Sequence, residues 1–193
     1  MTPAPGPRLH LKPGQAYHLI NHGPCSLITT AAGGERNVAP INWTMPVNND
    51  PPLMAAAVED GITTYKLLKA SGEFVINVVG ESLAGKVLAC GKCHGDAVNK
   101  FEKFGLTPLA SSQVKPPFLK ESLAHIECRL VGERPCDGVT LFIGEVAHAE
   151  VRESLWNGKS LVMGEARTLH HLTGGQFVVA ERVVEVPKDK IPV

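Results

Sequence analysis

The sequence lacks several features that define whole classes of protein. No apolar run approaches the roughly 20 residues that span a bilayer, and the N-terminal segment MTPAPGPRLHLKPGQAYHLI has prolines where a signal peptide has an apolar core. The 19 Lys and Arg residues balance 19 Asp and Glu residues, so no overall charge favours a nucleic acid or an anionic membrane. We therefore expect a cytoplasmic protein that binds neither nucleic acid nor membrane.

A disulfide framework is also missing, because the five cysteines are an odd number and the expected compartment is reducing. The motif Cys90-Gly-Lys-Cys93-His94 matches the pattern that attaches c-type haem, but that attachment occurs in exported proteins. Zinc would need two more ligands, and Cys128 and Cys136 do not form a second pair at a usable spacing. We therefore predict no metal site. A redox dithiol remains an alternative to the interpretation of Cys90 and Cys93 as incidental turn residues.

Glycine and proline are abundant, with 19 and 15 residues, which predicts many turns and a β-rich fold. The length of 193 residues suits one domain, and no linker or repeat divides it. We predict a single domain over residues 1–193, with an extended arm at residues 1–14. We predict about seven strands and three short helices, and the strands do not alternate regularly with long helices. A closed antiparallel barrel with short helical insertions therefore fits better than a doubly wound sheet.

Runs of β-branched and apolar residues predict the strands, at residues 25–32, 37–45, 53–59, 73–79, 124–133, 139–151 and 176–186. The first two form a hairpin that turns at Gly33-Gly34. In the fifth strand, His125, Glu127 and Arg129 alternate with apolar residues, which predicts that its polar face is exposed. The sixth strand carries few charges, and we predict that it forms a sheet edge that a second chain covers.

Three short helices are predicted between these strands. The segment TTYKLLKASG begins a helix with Thr63 or Thr64 as its N-cap, and Gly72 ends it. The segments SLAGKVLAC and DAVNKFEKFG form two more helices on either side of the Cys-x-x-Cys turn. Asp96 is the predicted cap of the second.

Four blocks of sequence occur in a distinctive order and spacing, namely SLITT…GERNVAPINWTMPVNNDPPLMAAAV, TTYKLLKASGEFVINVV, HGDAVNKFEKFGLTP and LFIGEVAHAEV. Together they resemble the flavin reductase-like family of FMN-binding split β-barrels, flavoredoxin type, from about Pro24 to Val186. The resemblance implies a mainly β fold, a closed antiparallel Greek-key barrel with short helical insertions. In that family, the turn that ACGKCHG occupies carries neither haem nor metal, which favours incidental cysteines.

The same resemblance implies a function. It indicates an FMN-dependent oxidoreductase that passes electrons from NAD(P)H or a redox protein donor through FMN to an acceptor. The family forms a homodimer in which both chains contribute to the FMN groove. The flavin carries the chemistry, so no catalytic acid or base is predicted. A non-enzymatic flavin-binding protein, acting as a sensor or store, is the alternative, and a dithiol oxidoreductase that uses Cys90 and Cys93 is a weaker one.

The FMN phosphate needs backbone N–H groups, hydroxyls and a cation. The loop VEDGITT leads into a predicted helix start, with Thr63 and Thr64 as hydroxyl donors. The resemblance assigns phosphate contact to the Thr of Thr-Tyr, which is Thr64, and to the Lys of Lys-Phe, which is Lys100. The alternatives are a plain N-cap for Thr64 and a solvated lysine for Lys100.

The flavin ring is expected against Asn37 and the segment Ile41-Asn42-Trp43-Thr44. The resemblance places Asn37 and Trp43 next to the cofactor. An indole can pack on the ring or the ribityl chain, and an amide can hydrogen-bond the pyrimidine edge. A core Trp and a turn Asn are the alternatives.

One position departs from the family pattern. The family often has Asp-His-Thr before the Gly-Glu-Val strand, whereas this chain has Asp137-Gly138-Val139-Thr140, so Val139 replaces a histidine implicated in nicotinamide handling. His170 or His171 could approach the ring instead, and we include His171 among the candidate cofactor residues. The change leaves the FMN prediction intact but weakens the prediction of NAD(P)H use.

Overall fold

The computed structural model describes residues 9–185, and their secondary structure is mainly β. The strands are β1 (Ser26–Ala32), β2 (Glu35–Ile41), β3 (Thr44–Asn49), β4 (Pro52–Glu59), β5 (Glu73–Val78), β6 (Pro108–Leu109), β7 (Phe118–Leu119), β8 (Ala124–Pro135), β9 (Val139–Val151), β10 (Leu169–Thr173) and β11 (Gln176–Val179). The α-helices are α1 (Thr63–Ser71), α2 (Ala84–Gly91), α3 (Lys100–Lys103) and α4 (Met163–Ala166). Short 3₁₀ helices cover Pro13–Leu19, Glu81–Leu83 and Glu153–Leu155. Within residues 9–185, every helix is too short or too polar to cross a membrane.

Seven strands form one antiparallel sheet in the order β2-β1-β5-β8-β9-β4-β3. Its two edge strands, β2 and β3, follow one another in the chain and are linked only by Asn42 and Trp43. Three Cα–Cα steps of about 3.8 Å bring the end of β2 within roughly 11 Å of the start of β3. The sheet must therefore curl strongly, so that its opposite edges approach each other at this link.

The sequence-based strands agree with this sheet over much of the chain. The predicted hairpin is present, and Gly33 and Gly34 have φ of 59° and 86°, the positive values that a type I′ turn requires. The predicted strand 37–45 was wrong, because the chain leaves the sheet at Asn42 and divides into β2 and β3. The predicted strand 176–186 is shortened, since β11 ends at Val179 and residue 186 lies outside the described residues. No strand was predicted at the position of β10, which pairs with β11.

The position of β9 corrects the sequence-based argument for an exposed edge. Residues 139–145 of β9 pair with β4 on one side, and residues 140–151 pair with β8 on the other. This strand therefore lies in the interior of the sheet, between β8 and β4, and the edges are β2 and β3. The predicted N-terminal arm at residues 1–14 overlaps at its end with a 3₁₀ helix that begins at Pro13, while residues 1–8 lie outside the described residues.

The helix caps differ from those predicted by sequence. Ile62 is the N-cap of α1, since Thr63 is already helical and the Thr64 hydroxyl has another partner described below. Asn99 caps α3, because its side chain accepts hydrogen bonds from the N–H groups of Phe101 and Glu102; the predicted cap at Asp96 was wrong. The predicted stop at Gly72 is confirmed, with φ of 67° in the left-handed region.

Two apolar clusters lie on opposite faces of β1, because successive strand side chains point to opposite sides. Leu27 packs in one cluster with residues of α2 and α3, and Ile28 packs in the other with Phe74 and Phe142. Gly144 in β9 is needed for the second cluster, since a Cβ there would lie 2.7 Å from the Phe74 ring. Burial of this kind stabilises the fold by about 25 cal/mol per Å² of apolar surface.

Candidate functional site

A cleft of about 520 Å³ opens beside the link between β2 and β3. Its volume lies in the range of roughly 300–1,000 Å³ that is typical of small-molecule sites. Eight of the nine sequence-predicted site residues line it: Asn37, Ile41, Asn42, Trp43, Thr63, Thr64, Lys100 and His171. Thr44 is not among the lining residues, and its hydroxyl lies 3.3 Å from the Ser26 hydroxyl.

The first turn of α1 forms one wall of the cleft. Thr64 is fully buried, and its Oγ1 accepts a hydrogen bond of 2.9 Å from Nδ2 of Asn37, which is also buried. The N-cap residue Ile62 has no side-chain acceptor, so no side chain caps the first N–H groups of the helix. These N–H groups carry the positive end of the helix dipole and form a favourable place for an anion. The N-cap alternative for Thr64 is therefore wrong.

Lys100 is the second anion-binding candidate. Only 5% of its surface is exposed, so the alternative of a solvated lysine is wrong. Its Nζ donates a hydrogen bond of 2.8 Å to the carbonyl oxygen of Cys90, and burial lowers the pKa of its ammonium group. None of the ion pairs within residues 9–185 includes Lys100. A buried charge without a counter-ion is costly, and an anion in the cleft would compensate it.

A polar network lines another part of the cleft. Nε1 of Trp43 donates to Oδ1 of Asn21 at 3.0 Å, and Nδ2 of Asn42 lies 3.1 Å from Nδ1 of His171. The other ring nitrogen of His171 lies 3.0 Å from the carbonyl oxygen of Gly174, so Nε2 donates to that oxygen and Nδ1 accepts from Asn42. Oδ1 of Asn42 is buried and has no hydrogen-bond partner among the described residues. It can accept a hydrogen bond from a ligand N–H group.

The positions of the aromatic and histidine side chains decide between the alternatives that the sequence left open. Trp43 is 51% exposed, so it is not a core tryptophan. His171 lines the cleft, whereas His170, on the opposite side of β10, lies 3.0 Å from the Thr168 hydroxyl and 3.2 Å from the His22 carbonyl oxygen. Val139 also lines the cleft, so the departure from the family pattern is located in the site itself.

The turn after α2, which holds the cysteines interpreted from sequence as incidental, is part of the cleft. Cys90, Cys93, His94 and Gly95 all line the cleft. Gly95 packs directly on Asn37, and a Cβ at residue 95 would lie 2.6 Å from the Asn37 Cγ. Burial raises the pKa of the Cys90 thiol to about 11, which disfavours the thiolate that dithiol chemistry needs. Among the described residues, Cys90, Cys93 and His94 do not bring three ligand atoms within metal-binding distance.

Sequence reasoning missed further lining residues. Tyr17, His18 and Asn21 come from the N-terminal segment, and Glu59 comes from the end of β4. No local sequence pattern identifies these residues as part of a site, because tertiary packing brings them to the cleft from separate parts of the chain. The Cys-x-x-Cys turn did carry a signal, since a glycine-rich turn directly precedes the candidate phosphate lysine in the sequence.

The chain also matches a known protein family over most of its length. The family model described as "Flavin reductase like domain" matches residues 20–184. The chain therefore belongs to the flavin reductase-like family, and the resemblance found in the sequence is confirmed.

The chain is also similar to particular proteins and solved structures. An uncharacterized protein of Archaeoglobus fulgidus is 37% identical over 123 residues, which cover 64% of this chain and 70% of that protein. The flavoredoxin of Methanosarcina acetivorans has a similar fold, with a TM-score of 0.83 at 19% identity over 95% of this chain and 96% of that chain. An FMN-binding domain of a flavin reductases-like enzyme from Shewanella baltica gives a TM-score of 0.78 at 24% identity, over 92% and 96% of the two chains.

Proposed function

We propose that the cleft binds FMN and that the protein is an FMN-dependent oxidoreductase. The observation that carries this proposal is the buried ammonium group of Lys100, which has no carboxylate partner among the described residues and lines the same cleft as the uncapped start of α1. Family membership supports a flavin-related redox function. The FMN-binding domain from Shewanella baltica, named above, supports FMN as the particular flavin.

The residues of the cleft fit the two ends of FMN. Lys100, the hydroxyls of Thr63 and Thr64 and the first N–H groups of α1 would hold the dianionic phosphate. Asn42 would hold the ring edge, because its buried Oδ1 lacks a donor, and the exposed indole of Trp43 offers a stacking surface.

Bound FMN would supply hydride and electron transfer, while the chain binds and orients it. His171 orients Asn42 through the hydrogen bond between their side chains. Val139 lines the cleft where many relatives of this type would have a histidine, so no titratable side chain is available from that position. We propose NAD(P)H or a redox protein as the electron donor. Val139 favours the protein donor or, as a second candidate function, a non-enzymatic flavin-binding protein.

We also propose that the sheet closes as a split barrel and that two chains form a homodimer in the cytoplasm. Closure is supported by the two-residue link between the edge strands β2 and β3.

Dimer formation is supported by strand β3 and the residue before it, because the large apolar side chains of Trp43, Met45 and Val47 are exposed. Exposed apolar side chains that lie close together favour burial against another chain. Sedimentation of the flavin-loaded protein tests this, and a monomer at micromolar concentration would contradict it.

The function is tested with the full chain reconstituted with FMN. We expect about one bound FMN per chain, and bleaching of its visible absorption under anaerobic conditions on addition of NADH or NADPH. Binding without bleaching by either nicotinamide would exclude the NAD(P)H reductase and leave the protein donor or the binding protein. Failure to bind FMN would contradict the proposal as a whole.

A further inference from the structure

A second cluster of functional groups lies outside the cleft, on one face of β8 and β9. His125 pairs with Glu150 across these strands, and Glu127 pairs with His148 two residues further along. Cross-strand partners share a face of the sheet, and so do residues two apart in a strand. The register therefore brings two histidines and two glutamates together, and none of the four lines the flavin cleft.

The segment before β8 buries half of this cluster, which corrects the prediction that the polar face of β8 is exposed. The ring of Phe118 stacks on His125, with centroids 4.1 Å apart and planes 11° apart, and His125 is only 4% exposed. The carboxylate of Glu127 is fully buried and accepts hydrogen bonds from the N–H groups of Ser112 at 2.8 Å and Gln113 at 2.6 Å. Arg129 alone remains exposed as predicted.

His125 is left with an unsatisfied nitrogen. Its Nε2 is buried, lies 3.5 Å from Oε1 of Glu127, and makes no hydrogen bond with any of the described residues. Buried polar groups in folded proteins are nearly always paired, because a lost hydrogen bond in the interior is costly. The lone buried nitrogen therefore indicates a missing partner beside His125.

The neighbouring groups identify the class of that partner. His125, His148 and Glu150 each offer one ligand atom, and these three atoms lie within 4.8 Å of one another. Two imidazole nitrogens and one carboxylate oxygen are a donor set that binds Zn²⁺ and similar divalent ions, with bonds of about 2.0–2.2 Å. The three donors must come somewhat closer to bind one ion. His148 and Glu150 can rotate to do so, since their side chains are partly exposed at 32% and 54%.

We propose that His125, His148 and Glu150 form a binding site for one divalent transition-metal ion of the zinc type, with water completing its coordination. The ion would replace the 2.9 Å contact between Nε2 of His148 and Oε1 of Glu150 and would give His125 its missing partner. The charge of Glu127 would offset part of the charge of the ion. Because the ligands come from two adjacent strands, the ion would fasten β8 to β9.

The test uses the tag-free full chain after removal of bound metals with a chelator. We expect calorimetry to detect one Zn²⁺ per chain, and Zn²⁺ to raise the thermal unfolding temperature. Replacement of a ligand should weaken Zn²⁺ binding by at least about tenfold, since loss of a residue that only orients a ligand already costs that much in other metal sites. His148→Ala and Glu150→Gln are the test variants, because these side chains are partly exposed and their replacement should leave the fold intact. Circular dichroism checks that both variants remain folded.

Two matched controls locate the ion. His22→Ala removes an exposed histidine outside the cluster, and Cys93→Ser removes the more exposed thiol of the Cys-x-x-Cys turn; both should bind Zn²⁺ like the parent protein. Loss of binding in Cys93→Ser together with retention in His148→Ala would move the metal to the turn and overturn the proposal. Absence of Zn²⁺ binding below millimolar concentration in the parent protein would also overturn it.

Discussion

Asn37 on β2 donates a hydrogen bond of 2.9 Å to the hydroxyl of Thr64 in the first turn of α1, and both side chains are buried. This contact joins the edge of the sheet to the helix start that we propose as the phosphate site. It gives Asn37 a structural role in addition to any contact with a cofactor, so the interpretation of Asn37 as a simple turn residue is wrong.

Replacing Thr64 by valine should destabilise the flavin-free protein. The substitution keeps the shape of the side chain but leaves Nδ2 of Asn37 buried without an acceptor, which costs about 1–3 kcal/mol in the free energy of unfolding. Urea denaturation measures this loss. Thr63→Val is the matched control, because Thr63 is only half-buried and its hydroxyl has no described partner. Equal effects of the two substitutions would contradict the role given to the Asn37–Thr64 bond.

Gly95→Ala should disturb the cleft from the Cys-x-x-Cys turn. The added Cβ would collide with the Asn37 amide, which is held in place by Thr64. We expect a loss of about 1–3 kcal/mol in stability, as for other overpacked sites, together with at least roughly tenfold weaker FMN binding. Fluorescence titration measures the binding. Gly85→Ala in α2 is the control, since its Cβ would meet nothing within 4 Å and alanine favours a helix. Unchanged FMN affinity in Gly95→Ala would separate the turn from the cofactor site.

Lys100→Met should weaken FMN binding by about 1.5–3 kcal/mol, because a hydrogen bond to a charged group contributes that much. That range corresponds to roughly ten- to a hundredfold in the dissociation constant. Lys103→Met, a change at an exposed lysine one turn away, should leave the dissociation constant within about twofold. Similar losses in both variants would indicate a general charge effect in place of a specific phosphate contact.

The pH dependence of FMN binding should also depend on Lys100. Burial lowers the pKa of its ammonium group, so the group loses its charge at a lower pH than an exposed lysine does. FMN affinity should therefore fall as the pH rises through this lowered pKa. The stability of the flavin-free protein should change in the opposite direction. Between the lowered pKa of folded Lys100 and the ordinary pKa of the unfolded chain, the unfolded chain binds more protons, so the free energy of unfolding rises with pH. Both trends should disappear in Lys100→Met. If this variant keeps the pH dependence of the parent protein, the trends do not arise from Lys100.

The cysteines of the turn should differ in reactivity. Burial raises the pKa of Cys90 to about 11, whereas Cys136 is exposed and Cys93 is partly exposed. At pH 7.5, iodoacetamide should label Cys93 and Cys136 well before Cys90, as mass spectrometry of timed samples can measure. Rapid labelling of Cys90 would revive the dithiol oxidoreductase as a function of this chain.

Local sequence patterns were enough to locate much of the fold. The β-branched runs gave the bounds of β1, β4, β5 and β9 to within a residue or two, because strand propensity and alternation act over a few neighbouring residues. The stop at Gly72 and the turn at Gly33-Gly34 were equally accessible, since only glycine adopts positive φ without strain. Order and spacing of four sequence blocks led to the family and to seven residues of the cleft, and the departure at Val139 led to the eighth, His171.

Tertiary structure alone decided which polar residues are buried and what they contact. The sequence pattern of β8 predicts that His125 and Glu127 face solvent, yet Phe118 and the backbone of residues 112–113 cover them. Lys100 is buried, and its ammonium group contacts the carbonyl oxygen of Cys90 at the end of α2. Periodicity reports which side chains share a face, but the covering segment comes from elsewhere in the chain. The partners of a polar face are therefore set by the packing of distant segments, which local patterns do not encode.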